Sequence, residues 1–399
     1  MLKNMNKISH MCLALTICCF LTVFSQMPQF VESSLSSIIS RIIWVVLILY
    51  VFISRRTLKI NKTFLRSLIV PVVFSVFVFM MTVLTNVPYY STGLYSVMLL
   101  SVFVFFIGTN VGEGLKDSDL RIIGGGYVAA SIIVAFSVWI KYLKGADITE
   151  KMYLYASKNS IGIILLTAFI ICYVYGWKKK KILINILNTA IMVFFVYVIM
   201  LLKCRAAIIV FPVIIAVSLV NSSFPKKVKV LIVLLLLALF IALQNDNFYQ
   251  TIVENIILGS RGANDDLNEI SSGRVDEWAT FFKDFYKVLV VGDGASARES
   301  LILASYLQFG IFIGTLIICY AFWPLVKGIK WTYISKNKNA FLFLLIAIAY
   351  SINAILEQYS PFGPGVRCFY LWLLFGIFIS NPYLVLHKPT NDNTNLKRN

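Results

Sequence analysis

The 399-residue sequence predicts an all-α polytopic integral membrane protein with about twelve transmembrane helices and one large, partly helical loop. Three observations carry that expectation. Hydrophobic residues make up 59% of the chain and charged residues only 14%, against about 45–50% and about 25% in soluble domains. Apolar runs long enough to cross a bilayer core of about 30 Å recur along almost the whole chain. The positive charges collect on alternate connections between those runs. A soluble globule and a disordered chain are excluded on composition. The net charge of +18 reads as a topology signal rather than a nucleic-acid footprint.

In chain order, residues 1–244 hold nine runs, at about 10–27, 34–54, 66–86, 93–111, 122–143, 160–177, 182–202, 206–223 and 228–244. A loop follows at 245–299, rich in acidic side chains. Three more runs lie within 300–386, at about 300–326, 340–357 and 366–386, before a polar tail at 387–399. With the N-terminus inside, the inner segments hold 23 positive and 4 negative side chains, leaving 13 positive and 14 negative outside. The whole excess then lies on one side, which puts both termini inside and the long loop outside. The first run follows Lys3 and Lys7, but Phe24-Ser25-Gln26-Met27 is a poor cleavage site, so a retained anchor is expected. Tyr89, Tyr90, Tyr95, Tyr153 and Tyr155 fall near run ends, as an interfacial aromatic belt requires. Gly124-Gly125-Gly126 in the fifth run fits close helix packing.

All seven cysteines lie in or beside the runs, so no disulfide framework is expected outside. His10 and His387 both fall near the inner face, which leaves no outward-facing catalytic histidine. No Cys/His spacing and no Asp-x-Asp pattern calls for a metal, and no nucleotide-binding loop is present. Neither a metal nor another cofactor is expected.

The informative residues are charges on the outer half, because a charge at the membrane midplane costs at least about 2.5–3.5 kcal/mol. Arg41 lies inside the second run, where it either snorkels outward or serves a site. Lys158 opens the sixth run from outside. Lys203 and Arg205 sit on the short outer link between the seventh and eighth, against the charge bias. Glu357 ends the eleventh run and Arg367 begins the twelfth, and these two either pair with each other or join a site. Several guanidinium groups at one surface make an anion site, because their planar fork grips phosphate oxygens in pairs. A lipid-linked diphosphate is the natural anion at that depth.

In the long loop, Ser271-Ser272-Gly273-Arg274-Val275-Asp276-Glu277-Trp278 reads as a helix start, with acids in the first turn. Trp278, Phe281, Phe282 and Phe285 recur at helical spacing and predict one apolar stripe lying on the bundle or the membrane surface. Val291-Gly292-Asp293-Gly294 reads as a turn, followed by Arg298 and Glu299 just before the tenth run.

Four local patterns in this order resemble the O-antigen polymerase family, part of a superfamily that also includes O-antigen ligases. Ser157-Lys158-Asn159-Ser160-Ile161-Gly162 is similar to the family's Lys-Asn-x-x-Gly stretch entering a middle span. Lys203-Cys204-Arg205-Ala206-Ala207 resembles its Ser-Arg-small pattern. Ser272-Gly273-Arg274 with Trp278 resembles its Ser-Gly-Arg-x-x-x-Trp signature in the large periplasmic loop. Val291-Gly292-Asp293-Gly294, Glu299 and Tyr306-Leu307-Gln308-Phe309-Gly310 resemble the exit of that loop into the next span.

The resemblance implies a GT-C-like fold in the bacterial inner (cytoplasmic) membrane and a role in lipopolysaccharide or other surface-polysaccharide biosynthesis. The implied reaction is glycosyl transfer: a growing glycan moves from undecaprenyl diphosphate onto another undecaprenyl-diphosphate-linked repeat unit. Arg205 and Arg274 would then be the main diphosphate-binding residues, with Lys203, Arg298, Arg41, Arg367 and Lys158 as further candidates. A chain-length regulator protein is the partner the resemblance suggests, besides membrane lipid; no nucleic acid is expected. The attacking hydroxyl needs a proton acceptor. Glu299 is the first candidate, with Asp293 and Glu277 behind it. Two departures stand out: Cys204 replaces a small hydroxyl residue, and the ligase-like loop histidine is missing, which favours polymerase over ligase. The rival class is a lipid-linked oligosaccharide flippase or transporter, for which charges deep in several spans are expected; here most runs have clean centres.

Overall fold

Inside hydrocarbon an unbonded backbone N–H or C=O finds no water, so long apolar runs fold as helices that satisfy their own backbone. The structure, a computed structural model, describes residues 9–55, 62–85, 92–146, 155–177, 181–220, 244–250, 274–284, 286, 290–292, 294, 299–363 and 367–387, and among these there is no strand. The helices are α1 (His10–Phe24), α2 (Pro28–Glu32), α3 (Leu35–Arg55), α4 (Lys62–Thr85), α5 (Thr92–Val111), α6 (Asp117–Val138), α7 (Lys158–Tyr175), α8 (Ile182–Leu201), α9 (Arg205–Val220), α10 (Asp246–Tyr249), α11 (Arg274–Asp284), α12 (Leu301–Ser335), α13 (Lys338–Leu356), α14 (Phe369–Ser380) and α15 (Tyr383–Leu386). Among the described residues eight helices are long and apolar enough to cross a membrane, and α1, α9 and α14 are shorter apolar helices. The run expected at 228–244 lies outside the described residues.

Two expected boundaries are corrected. The run expected at 300–326 is a 35-residue helix, α12, which reaches Ser335 and is broken at Gly310 (φ 74°, ψ 178°). Only glycine takes that backbone conformation without strain. The loop packs against the break: the backbone of Val290 and Val291 occupies the place where a Gly310 side chain would stand, and Gly292 (φ 80°) lies in the same way on Gln308. The run expected at 366–386 is likewise two helices, α14 and α15, separated by Asn381-Pro382. The Asn381 amide donates to the carbonyls of Gly112 (3.1 Å) and Leu115 (3.3 Å).

Helices α5, α7, α13 and α14 form the interior, whereas α3, α4 and α8 turn most of their apolar surface outward. Lipid is as apolar as leucine, so close packing rather than water exclusion joins the helices. The α5–α14 seam shows this best. A side chain on Gly376 would collide with the Phe105 carbonyl and the Thr109 nitrogen (2.8 Å), and one on Gly108 with the Leu373 carbonyl (2.5 Å). Above the seam, Phe375 is ringed by Phe105 (5.1 Å between centroids), Trp323 (4.8 Å) and Phe343 (5.7 Å), one ring from each of α5, α12 and α13. The glycine triplet works as expected at two of its three positions: Gly124 faces Ile171 of α7, and Gly126 faces Thr16 of α1. Gly125 faces open space.

Polar contacts lie at the two ends of the bundle and establish which helix ends share a side. At one end Asn339, on the first turn of α13, donates to Asp117 at the start of α6 (2.8 Å) and accepts from Tyr175 at the end of α7 (2.7 Å). At the other, Asn159 on the first turn of α7 donates to Glu357, just past α13 (2.6 Å). This is the alternation expected of consecutive antiparallel spans. The α5–α14 seam predicts that Gly376→Leu costs about 1–3 kcal/mol through overpacking, whereas Gly125→Ala is neutral. Thermal melting of the detergent-solubilised variants checks both.

Candidate functional site

The end of the bundle where α7 begins and α13 ends is built from four separate stretches of chain. Helix α7 contributes Lys158 and Asn159, the α8–α9 link Lys203, Cys204 and Arg205, the end of α13 Glu357, and the approach to α14 Arg367. Asn159 is the joint. Its amide donates to Glu357 Oε1, and its carbonyl oxygen accepts from the Cys204 thiol (3.7 Å). Gly162, one turn along α7, has no room for a side chain because Cys204 Sγ and Ala207 occupy that space. The Lys-Asn-x-x-Gly pattern therefore has a local physical reason: asparagine bridges two other segments, and glycine lets α9 approach.

The α8–α9 link is a tight helix termination. The Lys203 N–H donates to the Met200 carbonyl (2.9 Å) and the Cys204 N–H to that of Ile199 (3.4 Å), a pairing that needs a left-handed residue where glycine is usual. Lys203 fills that place at φ 50° and is only 5% exposed. Helix α9 then begins at once with Arg205, half-buried.

Glu357 and Arg367 form the pair that the sequence allowed, Oε2 to Nη1 at 3.9 Å, with side chains 21% and 14% exposed. That separation is an ion pair too long for a hydrogen bond. Arg367 Nε and Nη1 are buried and have no hydrogen-bond partner, so two donors of a largely dehydrated guanidinium remain available to an anion. The backbone around the pair is fixed. The Arg367 carbonyl accepts from Tyr350 (3.1 Å), which shares a hydrogen bond with Thr167 (2.7 Å). Ser360 donates back to the Tyr350 carbonyl (2.9 Å), and Trp372 donates to that of Pro361 (2.8 Å).

Two of the candidate cations, Lys158 and Arg205, are the first residues of α7 and α9, and Arg274 is the first described residue of α11. Arg367 lies two residues ahead of α14. A helix start carries partial positive charge from its unbonded N–H groups, so an anion beside a cation there is favoured by both. An anion so placed meets backbone N–H groups and a side-chain cation together.

The remaining candidates fall elsewhere or outside the described residues. Arg41 is exposed on α3 between the exposed Ile38 and Ile42, a lipid-facing position. Asp293 and Arg298 lie outside the described residues, as does the Arg274 side chain. Glu277 and Glu299 are brought together where α11 docks: the Glu299 N–H donates to Glu277 Oε2 (3.4 Å), and Glu299 itself is exposed. The rings of Trp278, Phe281 and Phe282 on α11 lie together, at centroid distances of 6.0 Å, 6.1 Å and 5.4 Å. Phe281 is buried on Leu303 and Leu307 of α12, flanked by Trp278 and Tyr306, whereas Phe282 is exposed and Phe285 lies outside the described residues. Among the described residues no group of three His, Cys, Asp or Glu side chains could hold a metal ion. No protein-family model matches the chain, and no curated protein matches it.

Burial pushes the Cys204 thiol up to about 11; Glu357 adds to the rise, and Lys158 and Arg367 oppose it. Cys204 is therefore a protonated, buried thiol at neutral pH. Peptide mapping after maleimide treatment at pH 7 should find Cys204 untouched, with Cys204 reacting only as the pH rises from about 9 towards 11. The left-handed turn makes a second prediction. Lys203→Ala should melt below Lys203→Gly by a margin of about 1 kcal/mol, because both remove the same cation and only glycine accepts the turn freely. Equal melting would rule out that backbone.

Proposed function

We propose that the chain is a surface-polysaccharide polymerase of the O-antigen type, working at the outer face of a bacterial inner membrane. In this reading it spans the membrane about twelve times in a GT-C-like arrangement, with both termini cytoplasmic. The substrates are two undecaprenyl-diphosphate-linked glycans: one donates its growing chain, and the other accepts it. The observation that carries the reading is the set of cations at helix starts, with the buried Arg367 guanidinium beside them, at one end of an otherwise apolar bundle.

The chemistry asks for that set. The acceptor hydroxyl oxygen attacks the anomeric carbon, the bond from that carbon to the diphosphate oxygen breaks, and its electron pair stays on the diphosphate. Arg205, Lys158, Lys203 and Arg367, with Arg274 from the loop, neutralise the charge that grows there. In a partly dehydrated site such pre-placed donors are usually the largest contribution to catalysis. The hydroxyl proton passes to a carboxylate, for which Glu299 is the first choice. Its exposure leaves it open to substrate, and its backbone is tied to Glu277, the neighbouring acid. Asp293 from the same loop is the third candidate. Glu357 is held by Asn159 and Arg367, and in this scheme it positions the guanidinium.

A glycan ladder tests the reading. Deleting the gene should leave a single repeat unit on the lipid core; complete loss of glycan would point to a ligase or flippase instead. Arg205→Ala and Arg274→Ala should each reduce long chains by about 10²–10³-fold, the usual cost of losing one donor to a developing oxyanion, at normal membrane abundance. Arg→Lys at either position should rescue little, because lysine keeps the charge but loses the fork.

A further inference from the structure

The opposite end of the bundle, rich in Lys and Arg, holds a cleft of about 360 Å³ between α6, α7 and α8, with the start of α13 at its rim. Its walls are of two kinds. Arg121, Lys338 and Asn188 supply cations and an amide, while Gly125, Val128 and Ile171 supply an apolar floor. Arg121 Nη2 donates to Asp117 Oδ2 (2.7 Å), and its guanidinium lies over the Tyr175 ring at 5.9 Å. The other Asp117 oxygen is taken by Asn339 (2.8 Å). The carboxylate is thus engaged on both oxygens, while the guanidinium, with five N–H donors in all, keeps donors for a second anion. Gly125 is the gap in the floor: a side chain there would meet nothing within 4 Å. Helices α6 and α8, two walls of the cleft, also carry exposed apolar residues, among them Ile133 and Leu187.

A soluble anion would use the cations and leave the apolar floor bare, and an acyl chain alone would leave the cations unused. We propose that this cleft is a binding site for an anionic glycerophospholipid. The phosphodiester sits between Arg121 and Lys338, and the first part of one acyl chain lies along Gly125 and Val128. Basic clefts between transmembrane helices at a Lys/Arg-rich end are suited to such headgroups. The site stands apart from the proposed diphosphate site, at the other end of the same helices. It does not depend on the polymerase reading.

Native mass spectrometry of the full chain, delipidated and then exposed to vesicles of phosphatidylglycerol or phosphatidylcholine, tests the site. The wild type should retain phosphatidylglycerol over phosphatidylcholine by about tenfold or more. The double variant Arg121→Gln/Lys338→Gln should lose that preference. Gly125→Leu, which fills the floor and leaves both cations, should lose the bound lipid while melting within a few degrees of the wild type. Equal retention of the two lipids, or a preference that survives both variants, would overturn the proposal. Displacement of the lipid by inorganic phosphate alone would also overturn it, in favour of a soluble anion.

Discussion

Every backbone polar group that enters hydrocarbon must be bonded within its own segment, and the rest of this structure depends on that constraint. It makes the described spans helical and leaves their centres apolar. The ion pair and the amide bridges are thereby gathered at the helix ends, while Thr167 within α7 bonds Tyr350 within α13 (2.7 Å). Asn159 with Glu357 at one end, and Asn339 with Asp117 at the other, are what remains when the middle of the membrane is closed to charge. The same constraint explains the two broken helices. At the Gly310 break the Gln308 carbonyl accepts from the Gly294 N–H of the loop (3.2 Å), and at the Asn381-Pro382 break the Asn381 side chain bonds the Gly112 and Leu115 carbonyls.

Packing then does the work that water exclusion does in soluble proteins. Gly108 and Gly376 let α5 and α14 meet at backbone distance, and Phe375 gathers rings from three helices. Both contacts lie in the interior formed by α5, α7, α13 and α14. The polar junction where α7 begins is seated on α7, α13 and α14, so Arg367 and Glu357 are held by rigid elements even though they sit in a link. The cost of partial burial is large for an arginine with two unbonded donors, and an arriving anion would relieve it.

The helical class and most spans were legible because an apolar run of about 20 residues is a local property. The Gly124–Gly126 packing and the Glu357–Arg367 pair were legible for the same reason: glycine clusters and facing charges have few other uses in a membrane helix. What escaped depends on distant partners. The bridge from Asn159 to Glu357 joins residues 198 apart in sequence. The break in α12 lies against a turn at Val290–Gly292 that no periodicity in the helix records, and the left-handed turn at Lys203 has lysine where glycine would have announced it. The basic cleft at the other end is assembled from α6, α7, α8 and α13, so its charges looked in sequence like ordinary topology signals.

The two ends of the bundle thus carry different chemistry on the same helices. One gathers cations at helix starts around a buried guanidinium, and the other pairs cations with an open apolar floor. The central claim is that the first is an anion site for a lipid diphosphate. A high-resolution map of the protein bound to undecaprenyl diphosphate tests it most directly. The account predicts phosphate density at the starts of α7 and α9, within hydrogen-bond reach of Arg205 and of Lys158 or Arg367. Phosphate density only at the opposite end, or none beside these residues at saturating lipid, would contradict it.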